Sequence, residues 1–431
     1  MPDAPGTVSG MPAERRRWGF IALGLIINLC LGSIYSWSVF VTPLAAHFTT
    51  ILGREVTAGE VLLPFSVFLA FFAIAMPLAG KYIERYGPGR VTIIGGLLTG
   101  LGWLIASTAS SVEILYIVYG VIGGLGVGIA YGAPVAVAAR WFPDRRGLAV
   151  GLTLLGFGFS AFITANAAGA LIAAYGVMMT FRIFGAVLAT VLVLAAIPLR
   201  FPPEGWQPAG WSPPAPGTGT TPVCECDRRA MLRTGTFYGL FLCYFIGCLA
   251  GLMAISIAKP VGTEVAGVDA GLATLLVGFF AIFNGAGRPA FGSIIDRTTP
   301  RVTAMLTFAL IAAASILVWL APGVPAYIVA FAVLWGSLGG WLAIAPAATA
   351  SYFGTCDYPR CYGVVFLAYG AGAVAGPQVA GFVREATGTY AGVFPLVAAL
   401  AVAGFAIAWL LMRPPTGVPV STPVPAATVE R

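Results

Sequence analysis

Apolar residues run along the chain in long blocks, broken at intervals by short stretches rich in Gly, Pro and charged residues. An α-helix rises 1.5 Å per residue, so about 20 consecutive apolar residues cross the hydrocarbon core of a bilayer. Cutting at the polar breaks leaves segments near 18–46, 58–80, 90–108, 113–138, 147–173, 178–199, 233–258, 270–293, 301–320, 325–350, 362–383 and 389–412. The pattern predicts twelve transmembrane helices. Gly and Pro occur both inside and between the blocks, which softens several boundaries by a few residues.

The longest break runs from Arg200 to Arg233 and is rich in Pro and Gly (EGWQPAGWSPPAPGTGTTP). It separates six blocks from six and reads as a linker. The expected organisation is a tail at 1–17, a bundle at 18–199, a linker at 200–232, a second bundle at 233–412 and a tail at 413–431. That is an all-α membrane protein with two pseudo-symmetric six-helix bundles. The final tail is Pro-, Val- and Thr-rich, has little to bury, and is expected to be disordered.

Composition strengthens the membrane reading. The chain is 59% hydrophobic and 9% charged, against roughly 25% charged in a soluble domain. A soluble enzyme cannot build its surface from so few charges. The net charge of +7 would suggest nucleic acid in a soluble chain. Here Lys and Arg concentrate in both tails and in the loops after helices 2, 4, 6, 8 and 10. Arg54, Arg182, Lys259 and Arg384 fall on the other side, and Arg288 within a span. The positive-inside rule then makes both termini cytoplasmic, in a multi-pass plasma or inner membrane protein that binds no nucleic acid. Arg15-Arg16-Arg17 resembles the basic start of a signal peptide, but the apolar stretch after it is too long for a signal core and ends in no cleavage site.

The seven cysteines form no C-x-x-C pair, and His47 is the single histidine. Neither a metal site nor a disulfide framework is indicated, no cofactor is expected, and the motifs H-E-x-x-H, G-x-S-x-G and the P-loop are absent. His47, at the outer end of helix 1, reads as a surface residue.

The two halves share a loop device. Gly80-x-x-x-Glu84-Arg85 with Arg90 follows helix 2, and Gly292-x-x-x-Asp296-Arg297 with Arg301 follows helix 8. A single copy is an ordinary basic anchor, whereas duplication at matching positions indicates repeated halves, the architecture of secondary transporters. The acid beside the arginines can pair across a seam or with a helix terminus, which makes these six residues candidates for conformational control.

This pattern resembles the signature of the major facilitator superfamily. The string from Leu31 through Tyr35 and Trp37 to Phe40, and that from Tyr131-Gly-Ala-Pro134 to Trp141-Phe142-Pro143-Asp144-Arg145-Arg146-Gly147, resemble its oxalate/formate antiporter branch, related to the monocarboxylate transporters. The resemblance covers all twelve helices. It implies transport by alternating access of a small carboxylate, with a functional monomer in lipid.

Arg288 carries the candidate chemistry. A charge at bilayer depth costs at least about 2.5–3.5 kcal/mol on insertion scales, so it normally faces a cavity and has a partner. It either snorkels toward the helix end, anchoring the Asp296 cluster, or grips a substrate carboxylate with its planar fork. The second reading is preferred because no acid lies deep in any span. Asn284 lies one turn earlier on the same face, placed to hold the guanidinium or donate to the anion. The Asn284-x-x-x-Arg288 pair resembles the acid-x-x-x-Arg pair of animal monocarboxylate transporters, in which the acid is implicated in proton coupling; here Asn replaces it.

The resemblance further implies, in oxalate-specific members, a second cation on helix 11, where this chain has Tyr369. One cation suits one carboxylate, which favours lactate or pyruvate over oxalate. Tyr35, Leu31 and Trp37 on helix 1, Tyr131 on helix 4, Trp335 and Trp341 on helix 10, and Tyr369 are candidate walls, although any one aromatic is more often packing or interfacial belt. Proton symport is preferred slightly over anion exchange, and a transport-incompetent membrane sensor is the alternative of another class.

Overall fold

The computed structural model describes residues 7–8, 11–144, 146–203, 206–209, 228–354 and 358–415. Among them, twelve helices are long and apolar enough to cross a membrane. The first half contains spans 1 (Arg17–Leu52), 2 (Gly59–Tyr86), 3 (Pro88–Ala106), 4 (Val112–Trp141), 5 (Ala149–Tyr175) and 6 (Val177–Ala196). The second contains spans 7 (Gly235–Glu264), 8 (Ala270–Ile295), 9 (Pro300–Leu320), 10 (Val324–Phe353), 11 (Arg360–Thr387) and 12 (Tyr390–Leu411). A two-residue antiparallel pair, Thr7–Val8 with Met11–Pro12, precedes span 1. Twelve crossings bring the chain's two ends to one face of the bundle, the terminal face; the opposite face is the far face.

Local chemistry starts the spans where the polar breaks fall. Thr57 and Glu60 form a reciprocal capping box at the start of span 2, which satisfies two helix-end donors. The Asp269 carboxylate accepts from the Gly271 and Leu272 N–H groups at the start of span 8. Spans 3 and 9 both begin with Pro at the first helical position, after Gly87 and Thr299, where its missing N–H does no harm.

Two spans depart from a regular helix. Span 1 narrows to a 3₁₀ segment at Gly32–Ser36 between two α-helical stretches. Span 4 widens to a π segment at Tyr116–Gly123. Irregular turns of this kind often sit beside functional sites.

Spans 2 and 11 pack against each other across the two halves, as do spans 5 and 8. The second seam is tight because glycine faces glycine: a Cβ on Gly158 would come 2.7 Å from the Gly285 Cα. Without side chains the helix backbones meet directly.

The start of the linker belongs to the first half. Trp206 packs on Trp141, the Trp141 indole donates to the Arg200 carbonyl, and the Ala209 N–H donates to Glu14. Arg228–Met231 forms a short helix before span 7. Residues 210–227, with Cys224 and Cys226, lie outside the described residues, as do Cys356 and the tail from 416.

Candidate functional site

At the middle of the bundle, both halves contribute to a narrow cavity, packed so tightly that it leaves no room for a water molecule. The first half supplies Tyr35 (span 1), Phe72 (span 2), Tyr131 (span 4) and Phe157 (span 5); the second supplies Arg288 (span 8), Leu342 (span 10), and Phe366 and Tyr369 (span 11). All eight are buried. The rings form one connected wall: Phe72 meets Tyr131 at 5.1 Å and Tyr369 at 5.7 Å between centroids, and Phe157 meets Tyr35 at 5.0 Å and Tyr131 at 5.4 Å. Phe366 stacks on Tyr369 at 5.0 Å.

Arg288 is 4% exposed and is the charged member of this lining. Its Nη1 donates to the Leu154 carbonyl of span 5 at 2.7 Å, and its guanidinium carbon lies 5.8 Å from the Phe157 ring centre. Nε and Nη2 make no hydrogen bond of regular geometry, and the Tyr131 hydroxyl stands against the guanidinium. Nε and Nη2 form one edge of the guanidinium, the side-on pair that matches the two oxygens of a carboxylate. No acid pairs with Arg288 among the described residues.

Across the lining, the Tyr35 and Tyr369 hydroxyls are 3.2 Å apart and hydrogen-bonded. This bond joins span 1 to span 11, and therefore one half to the other. The cavity thus combines a cation of the second half, beside Tyr131, with a Tyr35–Tyr369 phenol pair that bridges the halves.

The structure brings together Arg288, Tyr131, Tyr35 and Tyr369 of the residues expected from the sequence. Asn284 lies elsewhere. Its Nδ2 donates to the Trp335 carbonyl at 3.1 Å and its Oδ1 faces the Gly158 backbone, so the amide ties span 8 to span 10 and the guanidinium is held by Leu154 instead. Leu31, Trp335 and Trp341 are also buried outside the lining. Trp335 packs on Phe280 and Trp341 on Phe308, both inside the second half. Trp37 is likewise packing, stacked on Tyr119 with its indole donating to the Val61 carbonyl.

Phe72, Phe157, Leu342 and Phe366 are lining residues that the sequence reading did not single out. Phe366 stands three residues before Tyr369, one helical turn away, and that spacing was the available signal.

Among the described residues, the duplicated loop residues do not form one cluster. Both Glu84 oxygens lie 2.6 Å from Arg140 Nη2 at the end of span 4, inside the first half. Arg85 lies over the Tyr86 ring and Arg90 is exposed. In the second half Arg301 donates to the Trp409 carbonyl of span 12 and Arg297 is exposed. The Asp296 side chain lies outside the described residues. His47 packs edge-on against Phe48 at the far end of span 1. No group of three or more His, Cys, Asp or Glu side chains capable of holding a metal occurs among the described residues.

A family model described as Major Facilitator Superfamily matches residues 21–351 and 240–430. The oxalate:formate antiporter of Oxalobacter formigenes is 29% identical over 357 residues, 82% of this chain and 81% of that one. Human monocarboxylate transporter 11 is 27% identical over 412 residues, 90% of this chain and 81% of that one. Among solved structures, a D-xylose-proton symporter superposes with a TM-score of 0.71 at 14% identity, covering 92% of this chain and 98% of its own, a likeness of fold alone. The chain belongs to the Major Facilitator Superfamily, with relatives that include the oxalate:formate antiporter and the monocarboxylate transporters.

Proposed function

We propose that the protein carries small monocarboxylates such as lactate and pyruvate across the membrane by alternating access, in symport with a proton. The observation that supports this reading is the buried Arg288, whose Nε and Nη2 make no hydrogen bond of regular geometry at a cavity shared by both halves. Leaving a buried donor unmade is expensive, and a carboxylate would satisfy both at once. No second cation lines the cavity, so one carboxylate is accommodated and the phenols receive the rest of the substrate.

A proton travelling with the anion makes the step electrically neutral in the transmembrane field. Without an acid in the lining, the proton rides on the substrate or on a water-linked group. The terminal face is cytoplasmic on this reading, because it collects the basic loops. The carrier works as a monomer in a plasma or inner membrane.

Labelled lactate uptake into vesicles under an inward proton gradient tests the proposal. Arg288→Ala is expected to weaken lactate binding at least thirtyfold, the equivalent of roughly 2 kcal/mol for truncating a buried charged partner. Normal accumulation by that variant would sink the assignment. Exchange of oxalate for formate is the second reading, favoured by the antiporter among the relatives. Counterflow in preloaded vesicles without a pH gradient separates the two.

A further inference from the structure

At the terminal-face end of span 2 the helix carries two neighbouring columns with four-residue spacing, Lys81 with Arg85 and Tyr82 with Tyr86. The Lys81 ammonium lies 4.9 Å from the Tyr82 ring centre, and the Arg85 guanidinium carbon 5.4 Å from that of Tyr86. The two rings stack on each other, 6.3 Å apart and within 9° of parallel. Tyr82 and Tyr86 are 46% and 48% exposed, and they continue an exposed apolar column made by Ile74 and Leu78. Residues four apart share a helix face, so the column runs from aliphatic to phenolic as it nears the helix end. That is the order in which a lipid acyl chain gives way to its headgroup.

Neither cation has an acidic partner among the described residues. The adjacent Glu84 is engaged by Arg140 through both oxygens. The cations therefore lie beside rings at headgroup depth, about 6 Å apart along the helix axis, with no acid among the described residues paired to them.

We propose that this surface binds the phosphodiester of an anionic glycerophospholipid, with Lys81 and Arg85 on the phosphate and Tyr82 and Tyr86 against the glycerol and upper acyl chain. The site is separate from the central cavity and independent of the cargo. A lipid bound there would hold the end of span 2, which forms a seam with span 11.

The test uses the delipidated full-length protein in detergent, titrated separately with phosphatidylglycerol, phosphatidylcholine and inorganic phosphate. Bound molecules are counted by native mass spectrometry. Lys81→Gln with Arg85→Gln is expected to lower phosphatidylglycerol affinity roughly thirtyfold, leaving phosphatidylcholine binding unchanged. The charge-conserving pair Lys81→Arg with Arg85→Lys should retain it, which separates lost charge from a damaged fold. Arg297→Gln with Arg413→Gln, at exposed cations on the same face, should change it less than twofold. An equal loss in that control would mean diffuse attraction to the basic face and overturn the site. Inorganic phosphate binding as tightly as the lipid would overturn the lipid as its ligand.

Discussion

Arg288 and Tyr369 line the same narrow cavity, and on the proposed function the presence of a phenol rather than a cation at position 369 limits the site to one carboxylate. A second carboxylate at Tyr369 would be a desolvated charge without a counter-ion, which the aromatic wall cannot offset. Tyr369→Lys is therefore expected to lower lactate uptake and raise oxalate uptake, reversing their ratio by at least tenfold. Parallel uptake of the two labelled acids in the same vesicles checks this; an unchanged ratio would remove Tyr369 from the specificity argument. Arg288 was legible in the sequence because a lone charge in an apolar block is conspicuous. The phenylalanines were not, since Phe157 and Phe366 face the cavity while Phe279 and Phe283 are more than a third exposed, and nothing in their type or surroundings separates them. Asn284 was legible as a residue on Arg288's face, but its partner was set by how closely span 10 approaches span 8, a tertiary fact.

The spans themselves follow from block length, and their starts from capping residues such as Thr57 with Glu60 and Pro300 after Thr299. The breaks within spans were not legible. The 3₁₀ segment of span 1 begins at Gly32, which stands directly against the Phe157 backbone, so the helix is narrowed beside a neighbour that the sequence does not name. The seam of spans 5 and 8 carries its own prediction. Gly158→Val would drive a side chain into the Gly285 backbone and hold these spans apart. Uptake should fall at least tenfold, whereas Gly151→Ala on the same span, with open space at its Cβ, should stay within twofold. Equal effects of the two substitutions on vesicle uptake would argue that the close approach is incidental.

For the molecule as a whole, the seam of spans 2 and 11 is closed differently at its two ends. Toward the far face, the Gly59 N–H donates to Glu385 at 3.2 Å and Gln378 donates to Ser66 at 3.4 Å, with Gly381 packed against Gly59. Toward the terminal face the seam has a contact of Pro77 with Gly363, and Gly80 looks onto open space. Glu385 places a carboxylate from one half at the positive end of a helix in the other, a favourable arrangement. Glu385→Ala should loosen the far-face closure roughly fivefold, the effect of losing a hydrogen bond of about 1 kcal/mol. A cysteine substituted for Leu62, buried behind Gly381, would report this as faster alkylation by an impermeant maleimide applied to the far face. An unchanged rate would show that the glycines alone keep the seam shut.

The bond from Arg288 to the Leu154 carbonyl links span 8 to span 5, so the group proposed to grip the cargo is also a strut between the two halves. An empty carrier that swings open must abandon this strut and leave a third guanidinium donor bare in an apolar wall. A loaded one swings with its charge already compensated. If Arg288 grips the cargo as proposed, slippage without cargo would be penalised by that same side chain, and tight coupling would need no separate lock.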